Sequence, residues 1–313
     1  MNRLPFFLPM KNCPNLCVYC DQRTITGHSE TPSPSDVRAG ASGIEGEVEV
    51  CFFGGSFTCF PKSLQREYLA AASSATGGSR IRVSTHPSCI TREILSLLGE
   101  YPVSIVELGI SSLDDSVLNI CNRGYSGKEA LEKISLLLDD GRFTPGVQMM
   151  TGLPGQTESS SLEDLRLIAA VKGNRPMQLR IYPCLVLKGT RLEEMLTSGD
   201  YKPPGIADSS RWAGRMIDYA NAAGFELLRV GLQETASLGE GAIAGPHHPA
   251  LGEFARAFAL ALSLVRSRPS GPWTLPPLQK SLVFGHGGWG LGELARLTGK
   301  DKEETESLIY WSE

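Results

Sequence analysis

Residues 11–20 of the chain read KNCPNLCVYC. Cys13, Cys17 and Cys20 stand at the spacing C-x3-C-x2-C, and the aromatic Tyr19 directly precedes the last cysteine. Three thiolates at this spacing can hold three corners of a cubane iron–sulfur cluster. The fourth iron then has no protein ligand and can bind a small molecule, as a catalytic metal site requires. The stretch therefore predicts an open iron–sulfur site.

Three other interpretations of these cysteines stay open. A structural zinc site usually shows two pairs of ligands, but no second C-x2-C and no Cys/His pair follows. A disulfide framework suits a short secreted chain, and this chain has 313 residues. Unligated thiols in a packed core are the third interpretation, because free cysteine is often buried. Of the four, the iron–sulfur cluster fits the spacing best.

The composition is that of a folded chain with a full hydrophobic core. Of its 313 residues, 41% are hydrophobic, which suits one large domain or one domain with a small appendage. The net charge of −4 gives no electrostatic case for tight nucleic-acid binding, which usually needs a basic excess. A local basic patch is still compatible with this charge.

Nothing in the sequence predicts export or membrane insertion. The apolar start, residues 1–9, is short and broken by prolines, and no small-residue cleavage site follows it. No apolar run approaches the ~18 residues of a membrane span. The eight cysteines are therefore expected to be thiols and metal ligands in a reducing cytosol, and the predicted location is cytoplasmic.

Strands and helices alternate along most of the chain. Units of about 25–35 residues with this alternation indicate right-handed βαβ connections and a parallel sheet. Six units up to about residue 200 predict an α/β protein with a partial (β/α)6 TIM-like barrel, whose site forms at the carboxyl ends of the strands. An open flavodoxin-like sheet is the structural alternative. The predicted strands are 6–10, 47–53, 80–85, 103–110, 146–152 and 177–187, with a further strand at 225–230.

The predicted helices fill the intervals between these strands. The best defined of them spans 126–140, with Ser126 as its N-cap and Gly141 as its stop. A small, mainly helical C-terminal extension follows the barrel, so the expected domains are 1–235 and 236–313. The other predicted helices are 35–41, 61–75, 91–98, 115–120, 160–172, 208–223, 250–266 and 303–311, and 269–277 is a predicted linker.

The cysteine stretch at 11–20 resembles the radical S-adenosylmethionine (SAM) superfamily. In that family three cysteines hold a 4Fe–4S cluster whose open iron binds the amine and carboxylate of SAM, and reductive cleavage yields methionine and a 5′-deoxyadenosyl radical. Three later stretches resemble a subgroup that contains the elongator catalytic subunit and oxygen-independent coproporphyrinogen oxidase. They are VELGISSLD at 106–114, GLPGQT at 152–157 and LRIYP at 179–183, and the resemblance covers about residues 3–235.

The resemblance implies how SAM is held. Gly54 and Gly55, with Ser56 beside them, stand where a glycine pair contacts the methionine amine. Arg123 stands where an arginine pairs with the SAM carboxylate, which a guanidinium can bind through two hydrogen bonds. Tyr19 is expected to lie against the adenine.

Three further cofactor-binding candidates depart from the subgroup. Ser84 stands where the coproporphyrinogen enzymes carry a glutamate that holds the ribose hydroxyls. Ser111 stands where a glutamine usually reaches SAM, and Gln148 stands where an acid often lies near the adenosine. A serine at the first of these positions makes one hydrogen bond in place of two charge-assisted ones.

Arg180 and Tyr182 are the candidate catalytic residues. They alternate with Ile181 and so share one face of a strand. If that face is the barrel lumen they meet the substrate; the alternative is a structural role at the barrel end. His247 and His248 lie in a segment that resembles one in short elongator-like bacterial proteins, where they act either as acid and base or as structural turn residues.

The resemblance implies a radical SAM enzyme that abstracts hydrogen from a second substrate and draws its electron from a flavodoxin or ferredoxin-type reductant. A monomer is expected. An RNA-linked substrate, with tRNA as its class, would meet a basic mouth formed by Arg180, Lys188, Arg191 and Lys202. We expect neither a basic N-terminal extension nor an acetyltransferase domain, so the tRNA activity does not transfer whole. The alternatives are a SAM- and cluster-binding protein without turnover, in iron sensing or assembly, and an enzyme acting on a small metabolite such as a tetrapyrrole.

Overall fold

The computed structural model describes residues 2–75 and 77–312, and seven parallel strands form its central sheet. The strands of this sheet lie side by side in chain order, β1-β2-β3-β4-β5-β6-β8, and β7 belongs to a separate small sheet. A flavodoxin-like sheet would reverse direction at a switch point, which this order does not do. The partial barrel is therefore confirmed, as a curled half-barrel. Its strands are β1 (Asn2–Phe7), β2 (Val48–Phe53), β3 (Ser79–Thr85), β4 (Val103–Ser111), β5 (Thr144–Thr151), β6 (Gln178–Pro183) and β8 (Glu226–Val230).

Helices cover the outer face of this sheet and enclose the main hydrophobic core against it. In α6 the Ser126 side chain accepts from the Glu129 amide while the Glu129 carboxylate accepts from the Ser126 amide, and Gly141 ends the helix in the left-handed conformation. The predicted cap and stop are confirmed. The helices of the barrel are α1 (Gln22–Thr26), α2 (Pro34–Ser42), α3 (Lys62–Ala72), α4 (Arg92–Leu98), α5 (Asp115–Ile120), α6 (Gly127–Asp140), α7 (Glu158–Lys172), α8 (Arg191–Ser198) and α9 (Ile206–Ala222).

Two predictions within the barrel are wrong in detail. The first strand begins at Asn2 and ends at Phe7, so it shares only residues 6 and 7 with the predicted 6–10 segment, and the chain already turns at Met10, which has a left-handed φ of 53°. The predicted strand at 177–187 is two strands, since Pro183 has no amide proton with which to continue the ladder. The second of them, β7 (Val186–Leu187), pairs antiparallel with β9 (Ala242–Ala244).

The C-terminal part is helical but differs from its prediction at both ends. The predicted linker contains β10 (Trp273–Leu275), and the predicted terminal helix is a short helix followed by β11 (Ile309–Trp311), which pairs parallel with β10. This pairing is long-range and leaves no local pattern. The helices here are α10 (Ala236–Gly241), α11 (Leu251–Ser267), α12 (Lys280–Thr298) and α13 (Lys302–Ser307). The helix α12 was not predicted, and its backbone is non-helical from Gly285 to Gly288.

A disulfide joins Cys59 and Cys89, where the sequence predicted thiols. The two residues end short 3-10 turns that follow β2 and β3, which are paired neighbours in the sheet, so their loops lie side by side. None of the described helices is both long enough and apolar enough to cross a bilayer. The division of the chain at residue 235 stays a prediction.

Candidate active site

A cavity of about 750 Å³ runs from the inner face of the sheet to the carboxyl ends of its strands. This volume lies within the range of about 300–1,000 Å³ that is usual for ligand sites. It is lined by every residue predicted to hold the cluster or SAM and by both catalytic candidates: Cys13, Cys17, Tyr19, Cys20, Gly54, Gly55, Ser56, Ser84, Ser111, Arg123, Gln148, Arg180 and Tyr182. His247 and His248 line a separate small pocket beside it, where His247 Nε2 lies 3.0 Å from a carboxylate oxygen of Glu234.

The three cysteines of the 11–20 stretch are unbridged and half-buried, and each sulfur has its own polar neighbour. The Ser56 hydroxyl lies 3.3 Å from the Cys13 sulfur, and Gln22 Nε2 donates to the Cys20 sulfur at 3.6 Å. Burial raises the pKa of Cys20 to about 12. The thiol therefore keeps its proton until a metal ion displaces it.

The glycine pair brings the backbone after β2 against the cysteine loop. A Cβ at Gly55 would overlap the carbonyl oxygen of Leu8 and lie 3.1 Å from that of Lys11, so only glycine fits. The Met10 amide donates to the Gly54 carbonyl at 2.8 Å. These contacts fix the distance between the end of β2 and the cysteines.

Arg123 is buried and links the cysteine loop to the end of β4. Its Nη1 donates to the Cys17 sulfur at 3.0 Å, and its Nη2 donates to the Gly109 carbonyl. His86 holds the backbone of this arginine through Nε2, which lies 2.9 Å from the Arg123 carbonyl oxygen. Burial, with a contribution from the Arg123 charge, lowers the pKa of His86 to about 4. The imidazole is therefore neutral at pH 7 and positions Arg123 by donating to its carbonyl.

Tyr19 and Ser111 meet across the cavity. The Tyr19 hydroxyl lies 3.0 Å from the Ser111 hydroxyl, and burial holds the pKa of the phenol well above its ordinary value. Ser111 has a left-handed φ of 60°, an unusual conformation for a residue other than glycine. The serine predicted to reach SAM thus bonds the tyrosine predicted to face the adenine.

Glu107 is the main residue of the cavity that the sequence analysis missed. It pairs in register with Ser84 on the adjacent strand, and the Ser84 hydroxyl donates to it at 3.0 Å. Arg180 Nε donates to the same carboxylate at 2.6 Å, and Arg180 Nη1 lies 3.3 Å from the Tyr182 hydroxyl. Ser84 stands where the coproporphyrinogen enzymes carry a glutamate, and in this chain Glu107 on the adjacent strand places a carboxylate beside that position.

Two more charged residues lie beneath this group. Arg82 is fully buried and lies 3.6 Å from both Glu107 and Glu49, and Glu49 also accepts from Arg3 at 2.9 Å. The sequence held a signal for them, because charged residues that alternate with apolar ones inside a buried strand point into a barrel lumen.

Among the described residues, no three His, Cys, Asp or Glu side chains are placed to share a single metal ion. A cubane differs from such a site, because each of its cysteines binds a different iron. Three unbridged thiols at one cavity mouth are the donor set that it uses.

Comparison with known proteins identifies the family. Residues 7–168 match the model of the radical SAM superfamily, and residues 176–259 match that of the radical SAM C-terminal domain. This chain belongs to the radical SAM superfamily. Members of the superfamily are enzymes that bind SAM and a 4Fe–4S cluster, and a radical mechanism is general among them.

The relatives of this radical SAM protein include enzymes named for tRNA modification. It is 33% identical over 122 residues to the tRNA uridine(34) acetyltransferase of Methanocaldococcus infernus. The aligned region covers 39% of this chain and 22% of the acetyltransferase. It is 26% identical over 191 residues to the tRNA-2-methylthio-N(6)-dimethylallyladenosine synthase of Sulfurihydrogenibium sp., covering 57% and 43%. The chain spans between about a fifth and half of the length of the curated relatives with such names.

A solved structure confirms the fold. An Elp3 of Methanocaldococcus infernus that lacks its N-terminus superposes with a TM-score of 0.62 at 20% identity, over 85% of this chain and 65% of that one. At this identity the likeness concerns the fold alone. The half-barrel of this radical SAM protein is thus the superfamily's own architecture.

Two exposed basic residues stand next to segments that border the radical SAM cavity or its cysteine loop. Lys188 directly follows the cavity-lining Leu187, and Arg191 begins α8, whose Leu192 amide donates to the Val18 carbonyl of the cysteine loop. Both side chains are exposed and, like the exposed Lys202, form no salt bridge within residues 2–75 and 77–312. Arg180, predicted to join them, instead lies inside the cavity.

Proposed function

We propose that this radical SAM enzyme holds its cluster on Cys13, Cys17 and Cys20, binds SAM in the cavity below them, and acts on an RNA substrate of the tRNA class. The observation that supports this best is that the three thiols, Arg123 and the glycine pair share one cavity. A cluster held by these three cysteines would supply the electron for reductive cleavage of SAM, and thereby the radical chemistry that removes hydrogen from the substrate.

The chain's own residues orient the cofactor and the substrate. Arg123 binds the methionine carboxylate, since its contacts with Cys17 and Gly109 leave one N–H on each of Nη1 and Nη2 for a ligand. The backbone at Gly54 and Gly55 takes the methionine amine, and Tyr19 packs on the adenine.

Deeper in the cavity, polar groups take the adenosine and the substrate. Ser84 and Gln148 reach the adenosine. Arg180 and Tyr182 face the substrate, and Glu107 holds the Arg180 guanidinium in place through Nε.

Two observations support RNA as the substrate: the names of the relatives and a set of exposed basic residues. The curated relatives quoted above are named for tRNA modification. Lys188, Arg191 and Lys202 offer three phosphate contacts despite a net charge of −4. A flavodoxin or ferredoxin-type protein supplies the electron, and the enzyme works as a cytoplasmic monomer.

The test is the release of 5′-deoxyadenosine with and without total tRNA, alongside a gel shift at low salt. We expect tRNA to raise the release and to bind with an affinity whose logarithm falls by about 0.7–0.9 per phosphate contact per log unit of salt. The triple variant Lys188→Gln, Arg191→Gln and Lys202→Gln should lose the stimulation.

A matched control replaces three exposed basic residues away from the cavity, Arg38, Arg268 and Lys302, by glutamine. It changes the net charge equally and should behave as the native protein does. If the native protein shows no gel shift with tRNA and tRNA does not stimulate the release of 5′-deoxyadenosine, tRNA is excluded and a small metabolite is left as the substrate.

A further inference from the structure

Arg229 is a cavity arginine that has no anionic partner among the residues that the structure describes. It lies on β8, lines the cavity and is half-buried. Its Nε donates to the Gly231 carbonyl at 3.2 Å. Within the described residues its Nη1 and Nη2 make no hydrogen bond, and no carboxylate comes within salt-bridge distance. A half-buried guanidinium in this state keeps most of its donors for a ligand.

The other arginines of the cavity are already paired. Arg123 bonds the Cys17 sulfur and a backbone carbonyl. Three further guanidiniums share only two carboxylates, so the wall carries a positive excess before Arg229 is counted. The three arginines are Arg3, Arg82 and Arg180, and the carboxylates are Glu49 and Glu107.

Arg229 also stands directly beside Arg180. The two residues are register partners on β8 and β6, and paired strands lie about 4.8 Å apart. Like charges opposite one another in a sheet are unfavourable, and an anion between them removes the repulsion. Glu107 bonds Arg180 through Nε and leaves Arg180 Nη2 without a hydrogen bond among the described residues.

We propose that Arg229, together with Arg180, binds a phosphate group of the substrate. The inference rests on the proposed RNA substrate and names the part of it that enters the cavity. A guanidinium binds phosphate through two parallel hydrogen bonds, and two neighbouring guanidiniums surround it. Arg123 follows β4, which lies two strands from β6 and three strands from β8 in the sheet. The phosphate site is therefore separate from that of the SAM carboxylate.

The first experiment uses inorganic phosphate as the probe. Holoprotein with cluster and SAM is melted anaerobically in phosphate and in chloride at equal ionic strength. At ten times its Kd, phosphate should raise the Tm of the native protein by about 2 °C. Arg229→Gln should abolish the rise, and Arg38→Gln, which removes an exposed arginine of α2, should keep it. An equal rise in Arg229→Gln, or no rise in the native protein, would overturn the inference.

The second experiment uses total tRNA. Arg229→Gln should weaken binding about 10-fold or more and lower the salt slope by about 0.7–0.9, whereas its iron content and SAM affinity keep native values. Arg229→Lys should recover the salt slope and only part of the affinity, since an ammonium lacks the paired donors. Unchanged tRNA affinity in Arg229→Gln would contradict the phosphate site and leave the proposed function intact. Absence of tRNA binding by the native protein would end the RNA proposal, and the phosphate melt would still decide the role of Arg229.

Discussion

At the scale of single residues, Arg123 makes the most direct claim about cofactor binding. Its guanidinium is buried against the Cys17 sulfur, where a carboxylate would gain charge-assisted hydrogen bonds. We expect Arg123→Ala to weaken SAM binding by about 1.5–3 kcal/mol, or about 10–150-fold. Anaerobic calorimetry on the reconstituted protein measures this.

The control is Arg38→Ala on the outer surface, which should bind SAM as the native protein does. Iron content is measured in parallel, because Arg123 also touches the cysteine loop. SAM affinity that is unchanged in Arg123→Ala, at native iron content, would show that another group holds the carboxylate.

What the sequence could reveal about single residues depended on local pattern. The cysteine spacing and the glycine pair are local features, and the structure brings both to one cavity. Glu107 and Arg229 lie in strands that also read as ordinary buried segments. Their environment depends on residues of other strands, Ser84 and Arg180 among them, and no spacing along the chain records that register.

At the scale of elements, the bridge between Cys59 and Cys89 joins the loops after β2 and β3. The cysteines are 30 residues apart, and closing a loop of that length stabilises a fold by about 3–4 kcal/mol. We expect the double variant Cys59→Ser and Cys89→Ser to lose this amount in denaturant titrations and to keep its iron content.

Reductant provides the control for the bridge. Dithiothreitol should lower the stability of the native protein to that of the double variant and leave the variant unchanged. The bridge does not form if both thiols can be alkylated in protein purified without reductant and if the native protein and the double variant have equal free energies of unfolding.

A second element-scale prediction concerns the contact between α9 and α12. The Glu293 carboxylate accepts from Arg211 of α9 and from Arg296 of its own helix, each at 2.8 Å at its shortest. Burial raises the pKa of Glu293, but these two hydrogen bonds outweigh it, and the pKa lies below its ordinary value. A lowered pKa means that the stabilisation is present above the ordinary glutamate value of about 4.3 and is lost as the pH falls through the folded value.

Glu293→Gln should therefore lower the free energy of unfolding by about 1–3 kcal/mol at pH 7. The gap to the native protein should shrink as the pH drops below about 4. Urea titrations at pH 7 and at pH 3.5 measure it, with the exposed Glu306→Gln as control. A gap of the same size at both pH values would argue against the ion pair as its source.

The alternation of strands and helices made the barrel predictable, because each βα unit carries its own hydrophobic periodicity. The strand pairs β7–β9 and β10–β11 were not predicted, since each joins short strands that are far apart in the sequence. The helix α12 was not predicted because the glycines at 285–288 interrupt its hydrophobic periodicity.

At the scale of the whole molecule, the half-barrel gathers loops from successive strands over one cavity. The cysteine loop follows β1, the glycine pair follows β2, and Arg123 follows β4. Sequential strand order places these loops side by side at the carboxyl edge. We therefore expect this edge to carry a cluster on Cys13, Cys17 and Cys20.

Iron content after anaerobic reconstitution shows whether these three cysteines hold a cluster. We predict about four irons per chain in the native protein. Cys13→Ala, Cys17→Ala and Cys20→Ala should each lose the cluster, whereas the buried Cys184→Ala should keep it. Zinc in place of iron after anaerobic preparation, or full iron content in any one of the three loop variants, would contradict the account.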